Sequence, residues 1–157
     1  MIDAANIEGF LPEAEPLPAD LIERGALWQR GLRIVDRFAE GGQLTGGLWA
    51  SGAFQTVPFA FGGQEWMHII SGSVRIETEY TERRVGPGEQ IVVRRGLHCR
   101  WIQSEPVLKL FLRWDGDGPV PTMERLWMAA MPDWPCPDGA DSNGRSRASS
   151  LASGRTS

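Results

Sequence analysis

Between Leu32 and Trp114 the chain is a succession of short β-type runs, and almost every one ends at glycine or proline. The runs read "LRIVDRF", "QLTGGLWASG", "TVPFAF", "EWMHIIS", "SVRIETEY", "RRVG", "EQIVVR", "HCRWIQ" and "VLKLFLRW". They are rich in Val, Ile, Phe and Trp, which fit a pleated surface, and too short for helices. Gly41-Gly42, Gly62-Gly63, Gly72 and Gly86-Pro87-Gly88 supply the turns. So many closely spaced strands predict an all-β antiparallel barrel or sandwich. With 157 residues, 41% of them hydrophobic, the chain can bury one core of ordinary size.

The remainder divides around that β region. Residues 1–30 form an N-terminal arm, made extended by Pro12, Pro16 and Pro18, with "ADLIERGALW" giving a short helical turn. Residues 31–115 are the barrel. In residues 116–137, Thr122 caps a helix "MERLWMAAM" whose Met123, Leu126, Trp127, Ala130 and Met131 make one apolar stripe, against the barrel or against a partner. Residues 138–157, rich in Gly, Ser and Arg, cannot bury enough to offset ordering and are expected to be disordered. A net charge of −4 without a basic block argues against nucleic acid or an anionic membrane as partner. No run of about 18 apolar residues occurs, and the acidic N-terminus lacks signal-peptide character, so a cytoplasmic protein is expected. Cys99 and Cys136 are expected to be free thiols.

Residues 46–112, "GGLWASGAF…GGQEWMHIISGSVRIE…RRVGPGEQIVVRRGLHCRWIQSEPVLKLFL", carry a set of anchors in order. These are the Gly47-x-Trp49 strand, Glu65 followed by "IISGSV", the "GPGE" turn, the Gly-Leu-x-Cys-x-Trp segment and "EPVLK". Together they resemble the cupin superfamily, in the single-domain, DUF861-like branch related to ureidoglycine aminohydrolase and ethanolamine-utilisation cupins. The resemblance implies a single jelly-roll (double-stranded β-helix) barrel, usually dimeric, so a homodimer is expected.

In metal-binding cupins the first motif holds His-x-His and Glu and the second a further His. Glu65 matches the motif's Glu, but the two histidine positions fall near Pro58 and Ala60, and Cys99, rather than His98, takes the last position. A carboxylate and a thiol are too few for a divalent ion, which catalytic sites hold with about three protein ligands. No cofactor is expected, with Fe, Mn, Ni or Zn as the minority alternative. Strand alternation adds that Met67 shares the Glu65 face and Trp101 the Cys99 face, leaving His68 and His98 outside unless a bulge reverses the parity.

The inward set expected to bind a ligand is therefore Trp49, Ala60, Glu65, Met67, Cys99, Trp101, Lys109 and Phe111. Lys109 is the only lysine of the chain, and the resemblance puts a lysine at that point of the barrel. Glu65 and Lys109 either neutralise each other as a buried pair or act separately, Glu65 as general base and Lys109 as holder of an anionic group. Cys99 is expected to be buried and inert, because nothing on its face would activate it. Two functions stay open: a metal-free cupin binding a small carboxylate- or nitrogen-containing metabolite, or a lyase, isomerase or hydrolase using Glu65 and Lys109 as catalytic residues, with or without a metal.

Overall fold

The computed structural model describes residues 10–26 and 28–131. Eleven strands and one helix follow in chain order: β1 Ile22–Gly25, β2 Gln29–Ala39, β3 Gly42–Ser51, β4 Phe54–Thr56, β5 Phe59–Ala60, β6 Gln64–Ser71, β7 Val74–Glu77, β8 Glu82–Val85, β9 Gln90–Val93, β10 His98–Gln103, β11 Val107–Asp115 and α1 Met123–Ala130. They build two antiparallel sheets, ordered β2-β3-β11-β6-β9 and β1-β4-β10-β7-β8, with β5 paired to β10. This is the expected all-β jelly roll.

Side-chain alternation decides what faces the interior. On β6, Glu65, Met67 and Ile69 are buried while Trp66, His68 and Ile70 are half-buried on the other side. On β10, Cys99, Trp101 and Gln103 are buried, and His98 lies outside. Both histidines thus face away from the lumen, and no bulge reverses them. The core between the sheets contains Phe54, Phe61, Met67, Ile69, Val74, Ile76, Val93, Cys99, Trp101 and Val107.

The helix covers the outside of the first sheet. Thr122 accepts a hydrogen bond from the Arg125 backbone N–H, as an N-cap should. Leu126 and Ala130 are buried against Leu44, Leu112 and Trp114, so the apolar stripe packs on the barrel, with Met131 at its exposed end.

Of the helical turn expected in "ADLIERGALW", only its start turns, with Leu21 N donating to Pro18 O at 3.1 Å and Ile22 N to Ala19 O at 3.3 Å. Ile22–Gly25 is instead β1, paired antiparallel with β4, because Ile22 reaches the core and the strand edge offers its backbone groups partners. Tertiary pairing overrides the local preference. The preceding arm also joins the barrel: Gly31 N donates to Pro12 O at 3.0 Å and Ala14 N to Gln29 O at 3.0 Å. Residues 138–157 and Cys136 lie outside the described residues.

Candidate functional site

Between the sheets lies a cavity of about 660 Å³. Its position follows from register. β11 runs between β3 and β6, setting Lys109 opposite Trp49, and Arg113 opposite Glu65. Lys109, Phe111 and Arg113 alternate along one face of β11, and Trp101 comes from the facing sheet.

Glu65 and Lys109, whose side chains are 6% and 8% exposed, form an ion pair of 2.6 Å from Nζ to Oε1. The other carboxylate oxygen of Glu65 lies 3.4 Å from Arg113 Nη1. Arg113 in turn makes a fork to Asp115, with bonds of 2.7 and 2.8 Å. Burial opposes the charge of Arg113, but the hydrogen bond to Asp115 and the charges of Glu65 and Asp115 outweigh it and hold the guanidinium above its ordinary pKa.

The Lys109 ammonium sits among rings, 4.6 Å from the Trp49 centroid, 5.0 Å from Trp101 and 5.9 Å from Phe111. Ring faces attract a cation held at such distances. Hydrogen bonds fix the two indoles: Trp49 Nε1 donates to Gln29 Oε1 at 2.6 Å, and Trp101 Nε1 to Gln103 Oε1 at 3.0 Å. Thr56 Oγ1 accepts from the Trp101 backbone N–H at 2.9 Å. The site is therefore set before any ligand arrives.

Of the residues expected to bind, Trp49, Glu65, Trp101, Lys109 and Phe111 come together on the cavity wall. Met67 and Cys99 are buried in the core rather than on that wall. Burial pushes the Cys99 thiol up, away from a reactive thiolate. Ala60 is exposed and pairs with His98 across β5 and β10, whereas its neighbours Phe59 and Phe61 line the cavity. The motif count places residue 60 inside, but β5 pairs with β10 so that Phe59 stands opposite the inward Cys99 and Ala60 opposite the outward His98.

Several wall residues escaped the sequence reading. Arg113 and Asp115 continue the Lys109–Phe111 alternation by further steps of two, and that signal was present. Leu17 and Leu21, from the arm to which no chemistry was assigned, also line the cavity. Their role depends on how the arm folds back, which no local pattern encodes.

A divalent metal does not fit this donor set. Glu65 has both carboxylate oxygens engaged by cations, Cys99 is packed into the core, and His68 and His98 face outward. Among the described residues no three His, Cys, Asp or Glu side chains cluster as a metal site.

By sequence, the chain matches no family model and no curated protein. By structure, it is similar to a DUF861-family protein of unknown function from Pseudomonas syringae pv. tomato, with a TM-score of 0.61 and 21% identity over 66% of this chain and 43% of that one. The chain therefore spans less than half the length of that protein. It is also similar to a candidate ethanolamine utilization protein Q from Salmonella typhimurium, with a TM-score of 0.49 and 14% identity over 65% and 80% of the two chains. A DUF861-family protein from Thermotoga maritima is 26% identical over 41% of this chain and 73% of its own, with a TM-score of 0.37. The two-sheet barrel is thus similar in fold to that DUF861-family protein from Pseudomonas syringae pv. tomato.

Proposed function

We propose that this protein is a metal-free binder of a small organic metabolite, whose polar group lies at the Lys109–Glu65 end of the cavity. The observation that supports this reading best is the pre-set wall. Trp49 and Trp101 are pinned by glutamine partners, Phe54, Phe59, Phe61 and Phe111 add apolar surface, and a few polar groups converge at one end. Small-molecule sites combine these properties at volumes of about 300–1,000 Å³. Aromatic faces then provide stacking and the polar groups orientation.

A second reading makes Glu65 the acid/base and Lys109 the anion holder of a lyase, isomerase or hydrolase, and their shared place on the cavity wall favours it. Against it, each oxygen of Glu65 already has a cation beside it, so a substrate proton has to reach the lone pairs that Lys109 and Arg113 leave free. The test is mass spectrometry of the natively purified protein followed by identification of any retained molecule. Binding predicts an unchanged metabolite released on denaturation and lost from a Trp101→Ala variant. Turnover of that molecule by the protein, abolished in Glu65→Gln, would replace binding by catalysis.

The homodimer belongs to the same proposal. β2 is the terminal strand of its sheet, and Ile34 and Phe38 on it are 67% and 77% exposed. A long edge strand with exposed apolar side chains is a surface for pairing with a second copy. Among the described residues no helix is long and apolar enough to cross a membrane.

A further inference from the structure

Among the described residues six charged side chains line the cavity, three of each sign: Arg33, Lys109 and Arg113 against Asp36, Glu65 and Asp115. Each is matched within the wall. At the mouth Arg33 lies 3.1 Å from Asp36, and deeper in, Lys109, Glu65, Arg113 and Asp115 form a continuous ladder of contacts at 2.6, 3.4 and 2.7 Å. The cavity therefore has a formal charge of zero before a ligand enters. Resting on the binding reading above, we propose that the cavity selects ligands of no net charge that present a carbonyl-type oxygen to the Lys109 ammonium, and discriminates against carboxylates.

The argument is one of competition. A carboxylate ligand finds no unmatched cation: held by a free N–H of Lys109 it adds a second negative charge beside Glu65, and it is neutralised only by displacing Glu65 from Lys109 or Asp115 from Arg113, which leaves that acid without its partner in a poorly solvated place. Asp115, 42% exposed, is the easier of the two to displace, but its fork to Arg113 has two bonds to break. An ammonium ligand meets the same obstacle with the sign reversed, and the ring faces around Lys109 already hold a cation.

An uncharged acceptor displaces nothing. An ammonium has three N–H donors, and Glu65 takes one of them from Lys109. The indole donors are committed to Gln29 and Gln103, which leaves Lys109 as the donor that a ligand oxygen can use among these rings.

The experiment is a titration of the full chain with matched aryl carboxamides, aryl carboxylates and aryl methylamines at neutral pH, followed through the indole N–H signals of Trp49 and Trp101. Carboxamides are expected to bind about tenfold or more tightly than their carboxylate counterparts. Glu65→Gln and, independently, Asp115→Asn leave one cation unmatched, and the carboxylates are expected to gain about tenfold in each. Should the buried Glu65→Gln variant not fold, the more exposed Asp115→Asn carries the comparison alone. A wild-type preference for carboxylates or amines, or an unaltered preference in the folded variants, overturns the charge assignment and leaves binding in place. Failure of every class to move either indole overturns the binding reading and this inference with it.

Discussion

The 2.6 Å contact between Glu65 and Lys109 places two charges where water has little access, and its cost is offset only because each side chain has further partners. Removing one charge leaves the other buried and unmatched. Glu65→Ala is expected to lower unfolding free energy by about 3–5 kcal/mol, and the double variant Glu65→Gln, Lys109→Met to recover most of it; denaturant melts of the three proteins test this. An additive loss in the double variant would contradict the pairing. Cys99 gives a second prediction at this scale. Burial holds its thiol protonated at neutral pH, so peptide-resolved alkylation should modify Cys99 slowly in the native protein and rapidly after unfolding. Fast native labelling would mean that the residue is open to the lumen. At this scale much of the site was legible from alternation alone, which puts Glu65, Trp101, Lys109 and Phe111 inside and both histidines outside. The Glu65–Lys109 pair was one of two readings, but the second cation, Arg113, was not legible, because it depends on how β11 lies beside β6, and that register shifts between Leu108 and Lys109.

At the level of elements, the junction of β2 and β3 shows how one glycine sets a strand. Ile34 is the extra residue of a bulge between Arg33 and Val35, and opposite it Gly47 has φ 151°, where an added Cβ would collide with the Leu32 carbonyl oxygen. Gly47→Ala should therefore destabilise the protein by about 1–3 kcal/mol and disturb the Trp49 side of the cavity, read as a lower melting temperature with an altered Trp49 indole signal. A wild-type melt would argue against the bulge. The same strand carries the dimer proposal. Ile34→Lys together with Phe38→Lys is expected to convert a dimer into a monomer by light scattering, while a wild-type protein that is already monomeric would remove the proposal. Most strand runs from β2 to β11 were readable because their glycine breaks coincide with real turns, but "TVPFAF", read as one run, holds the end of β4 and all of β5, parted at Val57-Pro58. β1 was not, since "DLIER" is locally compatible with a helix and becomes a strand only through the Ile22–Thr56 and Gly25–Phe54 pairing.

For the whole molecule, the barrel buries the Glu65 carboxylate and sets two cations beside it, Lys109 and Arg113. Pro58 and Ala60, near which the sequence reading sets the histidine positions of a metal motif, carry no donor side chain. Fold likeness says little about which chemistry such a barrel performs. The charge distribution of the lumen says more, because it limits what can enter at low cost. Elemental analysis of protein purified from cells grown with added iron, manganese, nickel and zinc tests this account most directly. It predicts well under one equivalent of any transition metal per chain, unchanged in Glu65→Gln; one equivalent of bound metal, lost in that variant, would contradict it.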